Sequence, residues 1–288
     1  VAEEEELFTQ NVILPFDREY RRGRTPNPCV ICNPTTKFAI LSQKARELGC
    51  GKTATGHYAG LFQADGRYRI RKAGCLARDQ SYMLYRLTQE QLSTLILPLE
   101  ALPKDDVRAI AREAGLPCAA SPDSQEICFV PDNDYPAYLE HRFGPMEEGD
   151  FISPEGEPCG RHKGLLHYTV GQRKGLGIAL GRPVFIQSMD AETNRIYLAD
   201  SGREYAGGIL LENCLWPAFS APERPFRCGV RIRSMAKEAP ALVTPLEGGA
   251  ARVDFDAPQR APAPGQSAVC YDGEFLLGGG FIAKQLTK

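Results

Sequence analysis

The chain has 288 residues, 43% of them hydrophobic, and a formal net charge of −2. This length suffices for two or three domains. The sequence has no apolar run near the ~20 residues that a membrane-spanning helix needs, and no signal-peptide pattern opens it. The small net charge argues weakly against a nucleic-acid-binding protein, although local basic patches can still bind phosphate. A cytoplasmic protein is therefore expected.

The chain contains ten cysteines. Because secretory features are missing, a reducing compartment is favoured over a disulfide framework. We predict that six of these cysteines are small buried hydrophobic residues, namely Cys50, Cys75, Cys118, Cys214, Cys228 and Cys270. Cys29, Cys32 and Cys128 differ because they lie in polar, loop-like segments.

The first half of the chain alternates helix and strand signals, which indicates an α/β domain. Apolar residues recur at every fourth position from Phe8 to Tyr20, and we expect Pro15 to kink that helix. The further predictions are a helix at 38–48, a strand at 52–55, a hairpin around Asp65-Gly66, a helix capped by Asp79, a helix with a Thr88–Gln91 capping box, and an amphipathic helix at 104–114.

After about residue 145, glycine and proline become frequent and short alternating stretches replace the helices. Strands are predicted at 150–152, 157–159, 183–186, 195–198, 229–232, 251–255, 267–271 and 274–277. Evenly spaced strands with turn signals indicate a small barrel or paired β-domains. The predicted domains are an α/β domain at 1–133, a central β-rich domain at 134–209 and a C-terminal β-barrel domain at 210–288.

The first cysteine segment combines a stiff loop with a predicted helix start. The two prolines in 24–28 fix their own φ angles and restrain the preceding residues. Asn33-Pro34-Thr35 after Cys32 reads as a helix start, and a thiol at a helix N-terminus has a lowered pKa. The nearby cations that would reinforce this effect are Arg22, Arg24 and Lys37.

Other interpretations of the thiols remain open. Cys29-x-x-Cys32 has metal-ligand spacing, but a structural zinc site needs four ligands and no second such pair exists in the sequence. Both cysteines could instead be purely structural. Cys128 follows the polar run 123–126, which favours a loop, yet 127–130 could equally form a short buried strand.

Four further sequence features each allow two interpretations. His57 could be an ordinary strand-end histidine or a contact residue. Gln172-Arg173-Lys174 could be a solvated hairpin tip or could present two cations to phosphate. The four arginines within 18–24 could be a solvated helix end or a phosphate contact. Gly278-Gly279-Gly280 favours a strand bend over a phosphate cradle, because no helix follows it.

Several motifs occur in one order along nearly the whole chain. They are Gly-Arg-Thr-Pro-Asn-Pro at 23–28, Cys-Asn at 32–33, Lys-Phe at 37–38, Ala-Thr-Gly-His-Tyr at 54–58, Asp-Gln-Ser-Tyr at 79–82, Asp-Ser at 123–124, Ile-Cys-Phe at 127–129, His-Tyr-Thr-Val-Gly-Gln-Arg-Lys-Gly-Leu-Gly at 167–177, Pro-Gly-Gln-Ser at 264–267 and Gly-Gly-Gly at 278–280. Together they resemble the tRNA-specific 2-thiouridylase family of the PP-loop ATP pyrophosphatase superfamily.

The resemblance implies a fold and an activity. The fold is a partial PP-loop domain, similar to adenine nucleotide alpha hydrolases, followed by two small mainly-β domains. The activity is the replacement of O2 of the wobble uridine, position 34 of certain tRNAs, with sulfur. It implies ATP, with Mg²⁺ expected, and no tightly bound metal. The implied partners are tRNA and a cysteine desulfurase or sulfur-relay protein that loads sulfur as a persulfide.

The resemblance also implies residue roles. Cys32 would be the nucleophile and Cys128 the persulfide carrier, and the two would form a transient disulfide. Gly56 would lie close to ATP, which suits a residue without a Cβ. The residues implied to contact the target base or the tRNA are Asn27, Pro28, Cys29, His57, Arg78, Asp79, Gln80, Arg231, Ile232 and Gln266. Ile232 stands where relatives have an aromatic residue, and it cannot stack on a base as they can.

One family feature is absent from the sequence. The family binds the phosphates of ATP with a loop of the form Ser-Gly-Gly-x-Asp-Ser, and no such segment occurs here. The resemblance therefore predicts that the sequence begins inside the catalytic domain and that this chain alone cannot adenylate uridine. The alternative is a non-catalytic tRNA-binding or persulfide-carrier protein.

Overall fold

The computed structural model describes residues 4–120, 127–220 and 222–286. Its first part is mainly helical. The first helical stretch contains α1 (Glu5–Phe8), a π-helical turn (Thr9–Ile13) and α2 (Leu14–Arg21). Pro15 has no N–H and its ring clashes with the carbonyl four residues earlier. The expected kink therefore takes the form of a π-helical turn just before it.

The next helix is also continuous and also contains a π-helical turn. It consists of α3 (Pro28–Cys32), the turn Asn33–Lys37 and α4 (Phe38–Glu47). The remaining helices are α5 (Gln89–Thr94), α6 (Lys104–Glu113) and α7 (Tyr135–Phe143). The predicted capping box is present at the start of α5, where Thr88 and Gln91 exchange side-chain and backbone hydrogen bonds.

Two short strands and one hairpin accompany the helices of the first part. β1 (Thr53–Ala54) pairs in parallel with β4 (Leu95–Ile96). β2 (Ala59–Ala64) and β3 (Arg67–Lys72) form the predicted hairpin around Asp65-Gly66. Both turn residues have positive φ, at 52° and 72°, as a type I′ turn requires.

The second half is built from strands. The central part forms a four-stranded sheet in the order β6-β5-β8-β7, and six further strands close into a barrel in the order β13-β10-β11-β12-β9-β14, with β13 pairing back to β14. These strands are β5 (Gly149–Ile152), β6 (Pro158–His162), β7 (Val184–Asp190), β8 (Arg195–Asp200), β9 (Tyr205–Leu215), β10 (Phe226–Arg231), β11 (Ala239–Leu246), β12 (Ala250–Arg260), β13 (Ser267–Asp272) and β14 (Phe275–Leu286).

The predicted fold class is confirmed: an α/β part is followed by two mainly-β parts, of which the last is a barrel. The parts are not separate bodies, because β3 pairs with β14 and so joins the first hairpin to the barrel sheet. One core unites residues from both, among them Tyr82, Leu84 and Tyr271. The Gly278-Gly279-Gly280 run lies inside β14, in agreement with the strand interpretation.

The predicted amphipathic helix at 104–114 is confirmed as α6, although it has no buried residue and Ile110 on its apolar side is 54% exposed. Two other local predictions were wrong. Asp79 does not cap an α-helix: only a 3-10 turn, Ser81–Leu84, follows it. Of the six cysteines predicted as core residues only Cys270 is buried, and all ten cysteines are free thiols.

Candidate functional site

The thiol-bearing helix begins at Pro28, earlier than predicted. Asn27 is its N-cap, because the Asn27 side-chain oxygen accepts a hydrogen bond of 3.2 Å from the backbone N–H of Cys29. Pro28 occupies the first helical position, where its missing N–H costs nothing. The predicted start at Asn33-Pro34-Thr35 instead lies within the π-helical turn.

This corrected helix start reverses the expected effect on Cys32. Cys32 lies in the second turn, away from the N-terminal N–H groups, and burial raises its pKa. The Lys37 ammonium opposes this rise in pKa, and so does a hydrogen bond from the backbone of Lys37. The prediction of a lowered pKa at Cys32 was therefore wrong, because desolvation outweighs the neighbouring positive charge.

Cys128 is exposed at a turn that the surrounding apolar residues hold in place. The carbonyl of Ile127 accepts a hydrogen bond of 3.0 Å from the N–H of Val130, and the segment is not a strand. The Phe129 ring packs edge-on at 5.5 Å from Phe8 and 5.3 Å from Phe16. The loop interpretation of Cys128 is thus the correct one. The polar run 123–126 lies outside the described residues.

The three thiols are close enough to interact electrostatically. Desolvation raises the pKa of Cys29, and the neighbouring Cys128 thiol raises it further. The Cys32 thiol is also within electrostatic range of Cys128 and Cys29. Lys37 lowers the pKa of both helix thiols and is the cation that they share. Among the residues that the structure describes, no group of three or more histidine, cysteine, aspartate or glutamate side chains could hold a metal ion.

His57 packs against α4, which continues the thiol-bearing helix. The His57 ring stacks on Phe38 at 5.7 Å, and its Nδ1 lies 3.0 Å from the Thr55 hydroxyl. Burial, assisted by the charge of Lys37, lowers the pKa of His57 to about 4. His57 is therefore neutral at pH 7, so it can donate or accept a hydrogen bond but cannot pair with phosphate as a cation.

We expect NMR titration to find His57 neutral down to about pH 5. Its pKa of about 4 in the folded protein lies below the ordinary histidine pKa of 6.5. Between these values the unfolded chain binds more protons, so this histidine lowers the stability of the fold as pH falls through that window. The His57→Gln variant assigns the resonance. Titration of His57 near pH 6.5 would contradict the burial described here.

Asp79 and Arg231, both implied tRNA contacts, bind each other. The Arg231 guanidinium donates to the Asp79 carboxylate at 2.8 Å, with side chains 13% and 1% exposed, respectively. Asp79 also accepts from Ala73 and Ser81, and Arg231 also pairs with Glu238 at 3.0 Å. These charges are therefore satisfied within the protein.

Of the other implied contacts, Ile232 and Gln266 are engaged within the protein, whereas Gln80 and Arg78 are exposed. Ile232 is buried in the barrel core, 6% exposed, so a base cannot reach its side chain in this structure. Gln266 donates to the carbonyl of Thr25 at 2.9 Å and so holds the loop before the thiol helix. Gln80 is exposed, and its amide oxygen accepts from the Tyr58 N–H at 2.9 Å. Arg78 is exposed.

Sequence reasoning missed an interface between the first part and the barrel. Tyr82 donates to the carbonyl of Ser267 at 2.8 Å, Tyr85 lies 3.1 Å from the Ser267 hydroxyl, and the Ser81 and Tyr271 hydroxyls are 3.1 Å apart. The motif Asp-Gln-Ser-Tyr at 79–82 was the available signal. Its residues are explained here by contacts within the protein.

The arginines of 18–24 do not form one uniform surface. Arg21 pairs with Asp17 at 2.8 Å and donates to the carbonyl of Gly144. Arg24 pairs with Glu19 and Glu212. Arg18 is exposed, and Arg22 is 62% exposed. Residues 172–174 lie in a loop between β6 and β7 and not at a hairpin tip, because no strand pair flanks them in the part of the chain that the structure describes. The Gln172 side chain accepts from the Thr169 N–H and donates to the Lys174 carbonyl, and both following cations are exposed.

Comparison with known proteins defines the class first. Residues 1–132 match the family model described as tRNA methyl transferase HUP domain, 137–200 match its PRC-barrel domain, and 206–282 match the model named aminomethyltransferase beta-barrel domain. An α/β domain of the HUP type with two β domains is the architecture found here. No helix among the described residues is long and apolar enough to cross a membrane.

Curated relatives then narrow the class to one family. The chain is 45% identical, over 96% of its length and 78% of the relative's, to the tRNA-specific 2-thiouridylase MnmA of Acetivibrio thermocellus. It is 44% identical to the protein of that name from Symbiobacterium thermophilum, over 97% of this chain and 73% of the relative. It is 43% identical to the tRNA-specific 2-thiouridylase MnmA of Clostridioides difficile, over 98% of this chain and 79% of the relative. The chain belongs to the tRNA-specific 2-thiouridylase family.

Proposed function

We propose that this protein carries out the ATP-dependent 2-thiolation of uridine 34 in tRNA. The observation that carries the proposal is that Cys32 and Cys128, distant in sequence, come within electrostatic range of each other, with Lys37 beside Cys32 and with Cys128 exposed. Family membership supports the substrate class, since the curated relatives are named tRNA-specific 2-thiouridylases. A non-catalytic tRNA-binding or persulfide-carrier role is the competing hypothesis, and no particular observation favours it.

The proposed chemistry divides into activation and sulfur transfer. Uridine O2 is a poor leaving group, and transfer of AMP from ATP to O2, with release of pyrophosphate, converts it into a good one. The outer sulfur of a Cys128 persulfide then attacks C2, and AMP leaves with O2. The Cys32 thiolate attacks the inner sulfur, which breaks the S–S bond and leaves a Cys32–Cys128 disulfide. Release of the outer sulfur as hydrosulfide before attack gives the same products.

The side chains of the site support these roles. Cys32 is partly buried and its pKa is raised, so Lys37 and the backbone hydrogen bond are needed to favour the attacking thiolate. Cys128 is exposed on a turn, where a protein donor can reach it. That donor would be a cysteine desulfurase or a relay protein, and a thiol reductant would regenerate both cysteines. A cytoplasmic location is part of this proposal.

The substrate side of the site is assigned to neighbouring residues. Asn27, Pro28 and Cys29 at the helix start would face the target base. His57 and Arg78 would contact the tRNA. Gly56 would lie against ATP, with Mg²⁺ expected on its phosphates. Gly56 is exposed, has no positive φ, and a Cβ there would meet only Leu99 at 3.7 Å. Folding therefore gives no reason for glycine, which fits a requirement for ligand space.

Complementation tests the proposed function. The complete gene that contains the coding sequence of this chain replaces the 2-thiouridylase gene of a bacterial host, and nucleosides from tRNA are measured by mass spectrometry. We expect 2-thiouridine derivatives at position 34 to be restored. Salt-sensitive tRNA binding by the protein without any thiolation in the cell would instead support the non-catalytic hypothesis.

Gly56→Ala is expected to separate folding from ATP use. Alanine fits the described surroundings, so the free energy of unfolding in urea should change by less than about 1 kcal/mol. Thiolation in the complemented strain should fall, because the new methyl group occupies the space proposed for the nucleotide. Gly51→Ala, at another exposed glycine with no neighbour within 4 Å of a new Cβ, is the matched control. Equal thiolation in both variants would contradict the ATP assignment of Gly56.

A further inference from the structure

The three parts of the chain meet at a groove of about 640 Å³ that the proposed chemistry does not use. The first part contributes Arg22, Gly23 and Arg24 to it. The other residues that line it come from the central part and the barrel: Val170, Gln187, Ser188, Met189, Tyr197, Pro264, Ala283, Lys284 and Gln285. We call this site the junction groove.

The charge of the junction groove is positive. Its lining includes three cationic side chains and no carboxylate. Arg24 is neutralised by Glu19 and Glu212. Arg22 is 62% exposed, and its ion pair with Glu19 is long, with 3.8 Å between the nitrogen and the oxygen. Lys284 is exposed, and no ion pair involves it within the described residues. Two cations therefore remain available to an anionic ligand.

Uncharged hydrogen-bond donors accompany these cations. The hydroxyl groups of Ser188 and Tyr197 line the groove, and in the described part of the chain neither hydroxyl has a hydrogen-bond partner. Hydroxyls, guanidinium groups and ammonium groups are the donors that proteins use to contact phosphate oxygens. The lining thus has the composition of a phosphate-binding surface.

Tertiary contacts hold the backbone of one wall of the groove. Gly23 has φ +68°, and a Cβ there would lie 2.9 Å from Met189 Cβ, so the chain passes very close to the central part. The N–H of Thr25 donates to the carbonyl of Pro264 at 2.8 Å, which attaches the same loop to the barrel. The backbone that carries Arg22 and Arg24 is therefore in place before any ligand binds, which reduces the entropy cost of binding.

The junction groove adjoins the site that holds Asn27 and Pro28. Arg24 lines both the groove and a second cavity, of about 200 Å³, that Asn27 and Pro28 also line. We propose that the junction groove binds backbone phosphates of the tRNA strand that flank the target nucleotide. This inference rests on the proposed function. A strand whose base enters near Asn27 would pass Arg24 and place its neighbouring phosphates between Arg22 and Lys284.

Salt-dependent tRNA binding tests this inference. The double variant Arg22→Gln/Lys284→Gln removes two cations from the groove, and Lys163→Gln/Arg203→Gln removes two exposed cations that do not line it. Binding of tRNA to the purified 288-residue chain is measured over a series of salt concentrations. Each lost phosphate contact on a single strand lowers the slope of log K against log salt by about 0.7, so we expect a reduction of about 1.4 in the groove variant alone.

The affinity of the groove variant for tRNA should fall at least about tenfold at low salt, with no loss in the control. Equal affinities and salt slopes for the two double variants would overturn the inference and leave the proposed function standing. A second result would also overturn the inference: the groove variant loses binding of inorganic phosphate, measured by calorimetry, but keeps its affinity for tRNA. The ligand of the groove would then be a free anion. Absence of salt-dependent tRNA binding by the unmodified chain would contradict the proposed function itself.

Discussion

Cys32→Ser and Cys128→Ser are each expected to abolish 2-thiouridine in tRNA from the complemented strain. A serine at 128 cannot hold a persulfide, and the hydroxyl of a serine at 32 cannot break the S–S bond, because it is a far weaker nucleophile than a thiolate. Cys118→Ser, which removes an exposed thiol outside the site, is expected to leave thiolation unchanged. Mass spectrometry of tRNA nucleosides makes the comparison.

The same variants test the proposed partnership of the two thiols. A disulfide-linked peptide pair that contains Cys32 and Cys128 is expected after turnover is quenched with an alkylating agent. It should be absent from both serine variants and present in the Cys118→Ser protein. Normal thiolation with either Cys32→Ser or Cys128→Ser would refute the assignment, and a Cys29–Cys128 link in the unmodified protein would transfer the role of Cys32 to its neighbour.

Asp79→Asn is expected to lower the free energy of unfolding by about 3 kcal/mol. The variant leaves the guanidinium of Arg231, 13% exposed, without one of its two carboxylate partners. Asp65→Asn is the matched control, since Asp65 is 86% exposed and pairs with Arg69 at 3.1 Å. An exposed pair of this kind contributes at most about 1 kcal/mol. Urea unfolding of the three proteins measures the difference.

This comparison also decides between two roles of Asp79. If Asp79 and Arg231 join the first part to the barrel, Asp79→Asn weakens the fold and affects tRNA binding only through stability. A variant as stable as Asp65→Asn that nevertheless binds tRNA more weakly would restore the contact that the family resemblance implied.

Local patterns predicted most of the secondary structure, and the misses have physical causes. Strand β9 contains the glycine pair 207–208, and β11 contains Pro240 and Pro245, residue types that disfavour strands. Both strands form because the barrel core buries neighbours such as Ile209 and Val243. Burial in a closed sheet outweighs local propensity, and a single sequence does not reveal which strands close the sheet.

The helix start illustrates the same limit. Asn27-Pro28 and Asn33-Pro34 carry the same local signal, an N-cap residue followed by proline. The second pair does not start a helix, because Asn33 is used in packing. This residue is 2% exposed, and its side-chain amide donates to the carbonyl of Met83 at 2.9 Å. A residue remote in sequence therefore decides where the helix begins, and with it the electrostatic environment of Cys32.

The parts of the candidate site that lie in sequence motifs could be predicted. The parts that depend on contacts between residues distant in sequence could not. The roles of the thiols and their grouping followed from the resemblance. The ion pair between Asp79 and Arg231, 152 positions apart, did not follow from any local pattern. The family resemblance implies that these two charged residues contact RNA, and the structure shows that they form an ion pair between the first part and the barrel. A single sequence does not separate these two roles.

The contacts of Thr25 make the barrel a part of the thiol site. The backbone of this loop residue is held on both sides by the barrel turn, through the Pro264 carbonyl and the Gln266 amide. The helix that carries Cys29 and Cys32 begins directly after this anchored loop. An isolated N-terminal part would therefore lose the support of the helix that carries Cys32 and expose the β3 edge that now pairs with β14. The thiol site therefore depends on all three parts of the chain. Exchange of the barrel between relatives should succeed only when the Pro264–Gln266 turn of the new barrel matches the loop that contains Thr25.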